Sequence, residues 1–297
     1  DAKLLLGTHT SGDDTDYLKV ANTQLPKHKG VNVVSKIKIS KKFRNSAEIN
    51  RARYQPQNPD IVATINGKGY VDLYNIDNSE SGGSSFKQLH PHLENGYGLS
   101  WNLHRSGYLA TSSDDKSVVV SDIEKEDSVF KSSAHSEVVN DAKFHNLDAN
   151  LLGSVSDDKH FYIYDIRAQE KNLVAHKFFS SDSEGINTLA FSTFSQNLVA
   201  TGNTNSNVNL IDLRNMKQLH TLMGHSNSIG CLEFLPHKDG ILASGSEDRR
   251  LILWDLFKVG EEQQQEDAED GCPELFMMHA CHTGAVVDLN WCPFQEW

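Results

Sequence analysis

Cysteine is scarce in this chain, four in 297 residues, which excludes a disulfide framework and suits a reducing nuclear or cytosolic compartment. Cys272, His279, Cys281, His282 and Cys292 lie close in sequence, but no pair has Cys-x-x-Cys spacing, so no metal and no cofactor is expected. Long apolar runs are also missing. The longest near the start is Leu4-Leu5-Leu6, too short to span a bilayer, and no basic-then-apolar leader is present, so neither a membrane nor secretion is expected. Basic residues are outnumbered, 28 Lys and Arg against 40 Asp and Glu, for a net charge of −12. That balance argues against a direct grip on nucleic acid, which needs cations to neutralise phosphates, and favours a basic partner if the partner is charged. No Gly-x-Ser-x-Gly turn presents a nucleophile, and Gly67-Lys68-Gly69 reads as a strand turn with no helix behind it, not as a phosphate loop.

What is present is a repeat. An aromatic residue is followed 21 positions later by Asp or Asn five times: Tyr54 and Asn75, Trp101 and Asp122, Phe144 and Asp165, Phe191 and Asp212, Phe234 and Asp255. The step between copies alternates between 47 and 43 residues, the period of a four-stranded propeller blade. Leu or Val recurs eight residues after each aromatic (Val62, Leu109, Leu152, Val199, Leu242) and Ser or Thr ten after (Thr64, Thr111, Ser154, Thr201, Ser244). Asp115, Asp158 and Asp248 stand fourteen after, and His92, His135, His225 and His282 nine before, with Asn45 and Asp182 in the remaining copies. With 38% hydrophobic residues and so uniform a pattern, a single domain is expected over residues 1–297.

Each copy alternates as strands broken by polar turns, and one such sheet cannot bury both faces alone, so copies are expected to stack side by side around an axis. In the last complete copy, His225, Ser244, Asp248 and Trp254 stand where a side-chain network could tie the turn to both neighbouring strands, which stabilises only if every member is satisfied. The copies ending Tyr164-Asp165, Ile211-Asp212, Ser121-Asp122 and Tyr74-Asn75 lack the Trp, which leaves the four-member network open there. His135, Ser154 and Asp158 have the residue types of a hydrolase triad, but the same types recur in register, so they read as structural and no catalytic residue is expected.

Two segments break the repeat. The first, residues 24–47, carries Lys27, Lys29, Lys36, Lys38, Lys41, Lys42 and Arg44, and the alternation from Val34 to Ile39 predicts an outer strand with outward lysines that protect an exposed edge. The second, residues 258–278, holds Glu261, Glu262, Glu266, Asp267, Glu269 and Asp270, then the apolar Leu275-Phe276-Met277-Met278. It reads equally as a solvated acidic loop leading into an outer strand and as a surface for a basic amphipathic helix. Residues before each inner strand, among them Glu48, Asn50, Tyr97 and Asn187, line one end of a central channel in this architecture. At the ends, Leu6-Gly7-Thr8 with Tyr17-Leu18-Lys19-Val20 look like middle strands of a blade without its first, and the copy begun by His282 and Trp291 stops at Trp297. Part of a seven-bladed ring is therefore expected.

The copies resemble WD repeats, in which a His near the start and a terminal Trp-Asp bracket each blade, although only Trp254-Asp255 is literal. The segments between them carry a closer resemblance. Gly7-Thr8-His9-Thr10-Ser11, the stretch Asn50 to Pro59, Asn95-Gly96-Tyr97-Gly98-Leu99-Ser100-Trp101-Asn102, and Gly260 to Gln263 with Glu266 to Gly271 are similar to the retinoblastoma-binding histone chaperones. This family includes the second subunit of the type B histone acetyltransferase and the small subunit of chromatin assembly factor. The resemblance covers essentially the whole chain, and Ala63-Thr64-Ile65-Asn66-Gly67 is similar to fungal members that serve the acetyltransferase.

The resemblance implies an all-β, seven-bladed WD-repeat propeller preceded by an N-terminal helix, acting without catalysis in the nucleus and cytoplasm. It implies that the first helix of histone H four lies against the acidic loop, with Glu266, Asp267, Glu269 and Asp270 supplying charge and Leu275, Met277 and Met278 an apolar face. It also implies that the histone H three tail meets His9, Glu48, Asn50, Tyr97, Asn187 and Glu296 on the channel face, where Asn95, Asn140 and Ser228 replace carboxylates frequent in relatives. The expected role is to present histones to the catalytic subunit of a type B acetyltransferase or to a chromatin assembly complex. The alternative is a propeller that recruits substrates to a ubiquitin ligase, with Lys27 to Arg44 as adaptor contact.

Overall fold

The computed structural model describes residues 2–10, 14–23, 37–77, 82–168, 175–180, 184–264 and 271–292. Six sheets follow one another along the chain, each with its strands hydrogen-bonded in sequence order. The first has three strands, Ala2–Gly7 (β1), Tyr17–Thr23 (β2) and Lys38–Arg44 (β3). The second comprises Ile49–Gln55 (β4), Asn58–Asn66 (β5), Val71–Asn75 (β6) and Lys87–Leu89 (β7). The third comprises Gly96–Trp101 (β8), Tyr108–Ser113 (β9), Val118–Asp122 (β10) and Asp127–Ser132 (β11).

The fourth sheet runs through Val139–Phe144 (β12), Leu151–Ser156 (β13), His160–Asp165 (β14) and His176–Phe179 (β15). The fifth runs through Ile186–Phe191 (β16), Leu198–Asn203 (β17), Val208–Asp212 (β18) and Lys217–Leu222 (β19). The sixth runs through Ile229–Phe234 (β20), Ile241–Ser246 (β21), Leu251–Asp255 (β22) and Leu275–His279 (β23). These are the blades of a WD-repeat propeller fold, six against the seven that the resemblance implies. Two compact units result: residues 1–115 with 119–130 carry essentially the first three sheets, and residues 116–118 with 131–297 the last three.

The register explains itself in burial. Val62, Leu109, Leu152, Val199 and Leu242 are wholly buried, and so nearly are Trp101, Phe144, Phe191 and Phe234. In the first unit, Leu18, Val20 and Phe43 pack on Ile49, Val62 and Tyr74, and Ile65 and Leu73 pack on Leu99, Trp101 and Leu109. The second unit repeats the scheme: Phe161 and Ile163 meet Leu189, Phe191 and Val199, while Val208 and Leu222 meet Leu232, Phe234 and Trp254. Within each unit a sheet thus buries a face on the next, the reason a single copy would not fold alone. Tyr54 is the exception at 40% exposure, at the point where the β4–β5 register shifts between Tyr54 and Gln55.

The residue 21 positions on has a local task. Asn75, Asp122, Asp165, Asp212 and Asp255 each accept, on the side-chain oxygen, the backbone N–H two residues further along, closing the turn after the third strand. A second regularity is conformational. The residue fifteen after each aromatic has positive φ in all five copies: Gly69 (73°), Lys116 (63°), Lys159 (68°), Ser206 (68°) and Arg249 (69°). This left-handed residue shapes the turn between the second and third strands.

The outer strand of the first sheet is described only in part. Its described part spans Lys38–Arg44, inside the segment 24–47, and Ile37 and Ile39 are exposed. Phe43 is its buried residue, packed on Tyr74 with ring centroids 5.6 Å apart and the rings tilted by 44°. The rest of the basic segment, residues 24–36, lies outside the described residues. At the other end, the stretch begun by His282 runs beside the sixth sheet: Val286 N–H donates to Ser246 O at 3.0 Å, and Trp291 donates its backbone N–H to Glu233 Oε2 at 2.9 Å and its indole N–H to Glu233 O at 3.1 Å.

Candidate functional site

The polar network comes first, because it holds the turns that carry everything exposed. In the sixth sheet His225 Nδ1 lies 2.9 Å from Asp248 Oδ2 and its Nε2 2.8 Å from Ser244 Oγ, which also accepts the Trp254 indole N–H at 2.8 Å. Asp248 accepts the backbone N–H groups of Ser226 and Arg250 as well, both at 2.9 Å. The fourth sheet has the same circuit with Tyr in place of Trp: His135 meets Asp158 at 2.8 Å and Ser154 at 2.7 Å, and Ser154 Oγ donates to Tyr164 Oη at 3.3 Å. Loss of the Trp therefore does not open the circuit there, because a phenol reaches the same hydroxyl. Although His135, Ser154 and Asp158 have triad-like distances, Ser154 is wholly buried and no substrate can reach it.

In the third sheet His92 bridges Asp115 and Thr111 at 3.1 and 2.9 Å. The second sheet uses a circuit that the spacing did not reveal. Asn45 replaces the His and donates to Thr64 Oγ1 at 2.9 Å, while the buried Asp72 accepts from Asn66, Ser85 and Gln88 at 3.2, 2.9 and 2.8 Å. Asn at the His position was the available signal. In the fifth sheet Thr201 Oγ1 and the Asn203 amide are buried without a partner among the described residues; Asp182, in the His register, lies outside them.

The network sets an acid sensitivity. Burial pushes the Asp158 carboxyl up, but the hydrogen bond and charge of His135 and the backbone N–H groups of Ser136 and His160 outweigh it and hold the pKa at about 2. Burial also lowers the His225 ring, against the opposing pull of Asp248. Both groups have folded values below their unfolded ones, so both contribute stability at neutral pH that is lost on acidification. His225 should begin to release its share as pH falls below about 6.5, and Asp158 its share between about pH 4 and 2. Urea midpoints at pH 7, 5 and 3 are expected to fall stepwise, and Asp158→Asn should be less stable at pH 7 with a flatter profile below pH 4. Parallel profiles for the two proteins would contradict this assignment.

Of the channel-face residues, five are described. His9 Nε2 lies 2.7 Å from Glu48 Oε2, beside a cleft of about 510 Å³ lined by Asp14, Asp16, Asn45, Ser46, Glu48 and Lys68 among others. Asn50 donates its amide to Asn95 Oδ1 at 2.6 Å and Gly96 O at 2.8 Å, and Tyr97 Oη accepts from Asn95 at 2.8 Å. These four residues belong to the first unit. Asn187, in the second, repeats the clamp on the next sheet, donating to Ser228 Oγ at 2.7 Å and Ile229 O at 3.0 Å. Asn140 does so again, to Asp157 Oδ1 at 2.6 Å and Ile186 O at 3.0 Å. The recurrent Asn is thus first an inter-sheet clamp. Glu296 lies outside the described residues.

The acidic segment divides likewise: Glu266, Asp267, Glu269 and Asp270 lie outside the described residues, and β23 lies inside. Leu275 is half-buried and packs against the Trp254 cluster. The exposed apolar residues are Phe276, Met277 and Met278, at 60%, 46% and 39%. Phe276, not among the expected contacts, is the most exposed of the three. Among the described residues no group of three or more His, Cys, Asp and Glu side chains could hold a metal ion, and no helix is long and apolar enough to cross a membrane.

The WD domain, G-beta repeat family matches residues 216–255, the span from the end of the fifth sheet through the third strand of the sixth. The whole chain is similar to histone acetyltransferase type B subunit 2 of Debaryomyces hansenii, 59% identical over 318 aligned residues that cover 100% of this chain and 76% of the relative. It is 56% identical over 301 residues to the Candida albicans protein of the same description, covering 100% and 77%. The chain belongs to the histone acetyltransferase type B subunit 2 family. Similarity extends to the Candida glabrata member at 38% identity, covering 99% of this chain and 74% of the relative. In this type B subunit 2 chain the apolar strand β23 begins five residues after Asp270, and the Asn50, Asn140 and Asn187 amides are engaged between neighbouring sheets.

Proposed function

We propose that the chain is the histone-binding, non-catalytic subunit of a type B histone acetyltransferase, acting in the nucleus and cytoplasm and holding the first helix of histone H four on the surface formed by β23 and the acidic segment before it. The observation that carries this reading is the exposed run Phe276–Met278, which begins six residues after the last of Glu266, Asp267, Glu269 and Asp270. A basic amphipathic helix would bury its apolar side on the first and form charge-assisted bonds with the second. Each Å² of apolar surface covered contributes about 25 cal/mol, so three large side chains supply a useful part of the affinity. The catalytic subunit performs the chemistry, and binding remote from the reacting lysine lowers KM more than it raises kcat.

The histone H three tail would lie on the channel face near His9, Glu48, Asn50, Tyr97, Asn187 and Glu296. It is the weaker site in this reading, since the Asn50 and Asn187 amides are engaged between sheets and Glu48 is paired with His9.

The test is titration of the full-length protein with a peptide of the first helix of histone H four, for wild type and Asp267→Asn/Asp270→Asn, at two salt concentrations. Binding should be salt-sensitive, because exposed charge pairs are screened within about 10 Å at 0.1 M ionic strength. It should weaken at least about tenfold in the double variant, in line with the loss of two charge-assisted hydrogen bonds. No binding by folded wild type would sink the reading and return attention to ligase adaptors.

A further inference from the structure

Glu274 is a buried carboxylate, 4% exposed, at the exit of the most acidic stretch of the chain. Burial of a carboxylate is costly unless it is paired, so a loop that returns one to the interior invites a reason. Its Oε1 lies 2.8 Å from His220 Nε2, on β19 of the preceding sheet. The neighbouring backbone is tied on both sides. Glu274 O accepts the Asp255 N–H at 2.8 Å, Leu275 N–H donates to Cys272 O at 3.0 Å, and Cys272 Sγ donates to Met223 O at 3.8 Å. Residues 272–275 are therefore held to the fifth and sixth sheets at once.

Immediately beyond this point the β22–β23 register shifts: Trp254 pairs with Leu275 and Leu253 with Met277, which leaves Phe276 without a cross-strand partner. Such a bulge re-aims side chains. Here it sends Leu275 inward to Trp254 and leaves the consecutive Phe276 and Met277 both exposed. A one-residue slip of the strand would exchange the inward and outward sets. Whatever holds residue 274 therefore decides which side chains β23 presents.

We propose that the Glu274–His220 pair is the positioning contact that sets the register of β23 and so the apolar face offered to the histone helix. The proposal rests on the function inferred above. Glu274 and His220 are positioning residues and touch no ligand themselves.

The test compares wild type, Glu274→Ala, His220→Ala, the double variant and Glu274→Gln in the full-length protein. Three readouts apply: Kd for the histone H four helix peptide, Kd for a histone H three tail peptide, and amide hydrogen exchange of residues 275–279. Each alanine variant should weaken helix binding about tenfold and speed exchange in β23, since His220→Ala leaves the buried Glu274 carboxylate unsatisfied and Glu274→Ala removes the side chain that anchors residue 274. The double variant should be no worse than the weaker single one, since both remove one contact. Glu274→Gln keeps an acceptor for His220 and should stay within about threefold of wild type, and tail binding should not change in any variant. Unchanged β23 exchange and helix affinity in the alanine variants would overturn the proposal, as would equal losses for both peptides with a lower melting temperature, the mark of a general folding defect. Faster β23 exchange in the alanine variants of a wild type that binds no helix would uphold the latch and refute the function.

Discussion

Trp254→Ala is expected to lower the unfolding free energy by about 3–5 kcal/mol, the range for a large buried aromatic replaced by Ala. Trp254 is fully buried and packs among Leu232, Phe234, Leu242 and Ile252, with Leu222 of the fifth sheet and Leu275 of β23 against the same cluster. The packing leaves no slack: a Cβ built on Gly224 would stand 2.9 Å from the indole. Truncation opens a cavity that this surround cannot close, and it removes the indole N–H from Ser244 Oγ. The two losses separate experimentally. Trp254→Phe keeps most of the volume and loses the hydrogen bond, a smaller cost of about 1 kcal/mol. Trp254→Tyr should recover part of that, because Tyr164 meets Ser154 in the fourth sheet. Urea denaturation checks the series, and a loss below about 1 kcal/mol for the alanine variant would contradict the packing argument.

Gly69→Ala should be as damaging, by about 3 kcal/mol or more, for two reasons that act together. Gly69 has φ of 73°, where any Cβ is strained, and a Cβ there would stand 2.1 Å from Glu94 O and 2.8 Å from His92 Cβ. Lys116, Lys159, Ser206 and Arg249 hold the equivalent place with almost the same φ. The left-handed turn alone is therefore tolerable with a side chain, at a cost of about 1–2 kcal/mol. What singles out Gly69 is the backbone of residues 92–94 lying across it. Thermal unfolding of Gly69→Ala beside Lys159→Ala makes the comparison: the first should fall by several degrees and the second hardly move, since Lys159 already carries a Cβ. Equal behaviour would mean that the approach of residues 92–94 yields to the added methyl.

The blade period, the buried positions at each register column and the His–Ser–Asp circuit were legible because they follow from local spacing. Val62, Leu109, Leu152, Val199 and Leu242 recur without insertion, and each is wholly buried. In the outer strand of the first sheet, alternation from Val34 to Ile39 did not point to Phe43, the one aromatic among basic residues, which buries against Leu18, Ile49 and Tyr74. The packing of Leu275 and the exposure of Phe276 follow from a bulge that alternation cannot anticipate. The Asn-based circuit around Asp72 went unread because Val119, Tyr162, Asn209 and Ile252 stand at the place of Asp72 in the other copies, and a repeat reveals only what it repeats.

The amino-acid order alone thus determined the architecture, the blade boundaries and the family, since these depend on short-range periodicity and on contiguous segments such as Asn50 to Pro59. Tertiary structure decided which polar groups are engaged and which apolar ones are exposed. Asn50 and Asn187 became clamps because a carbonyl of the next sheet lies within reach, and Glu274 became buried because His220 approaches from another sheet 54 residues away. Contacts of that kind join residues distant in sequence, whose spacing carries no trace of their meeting in space.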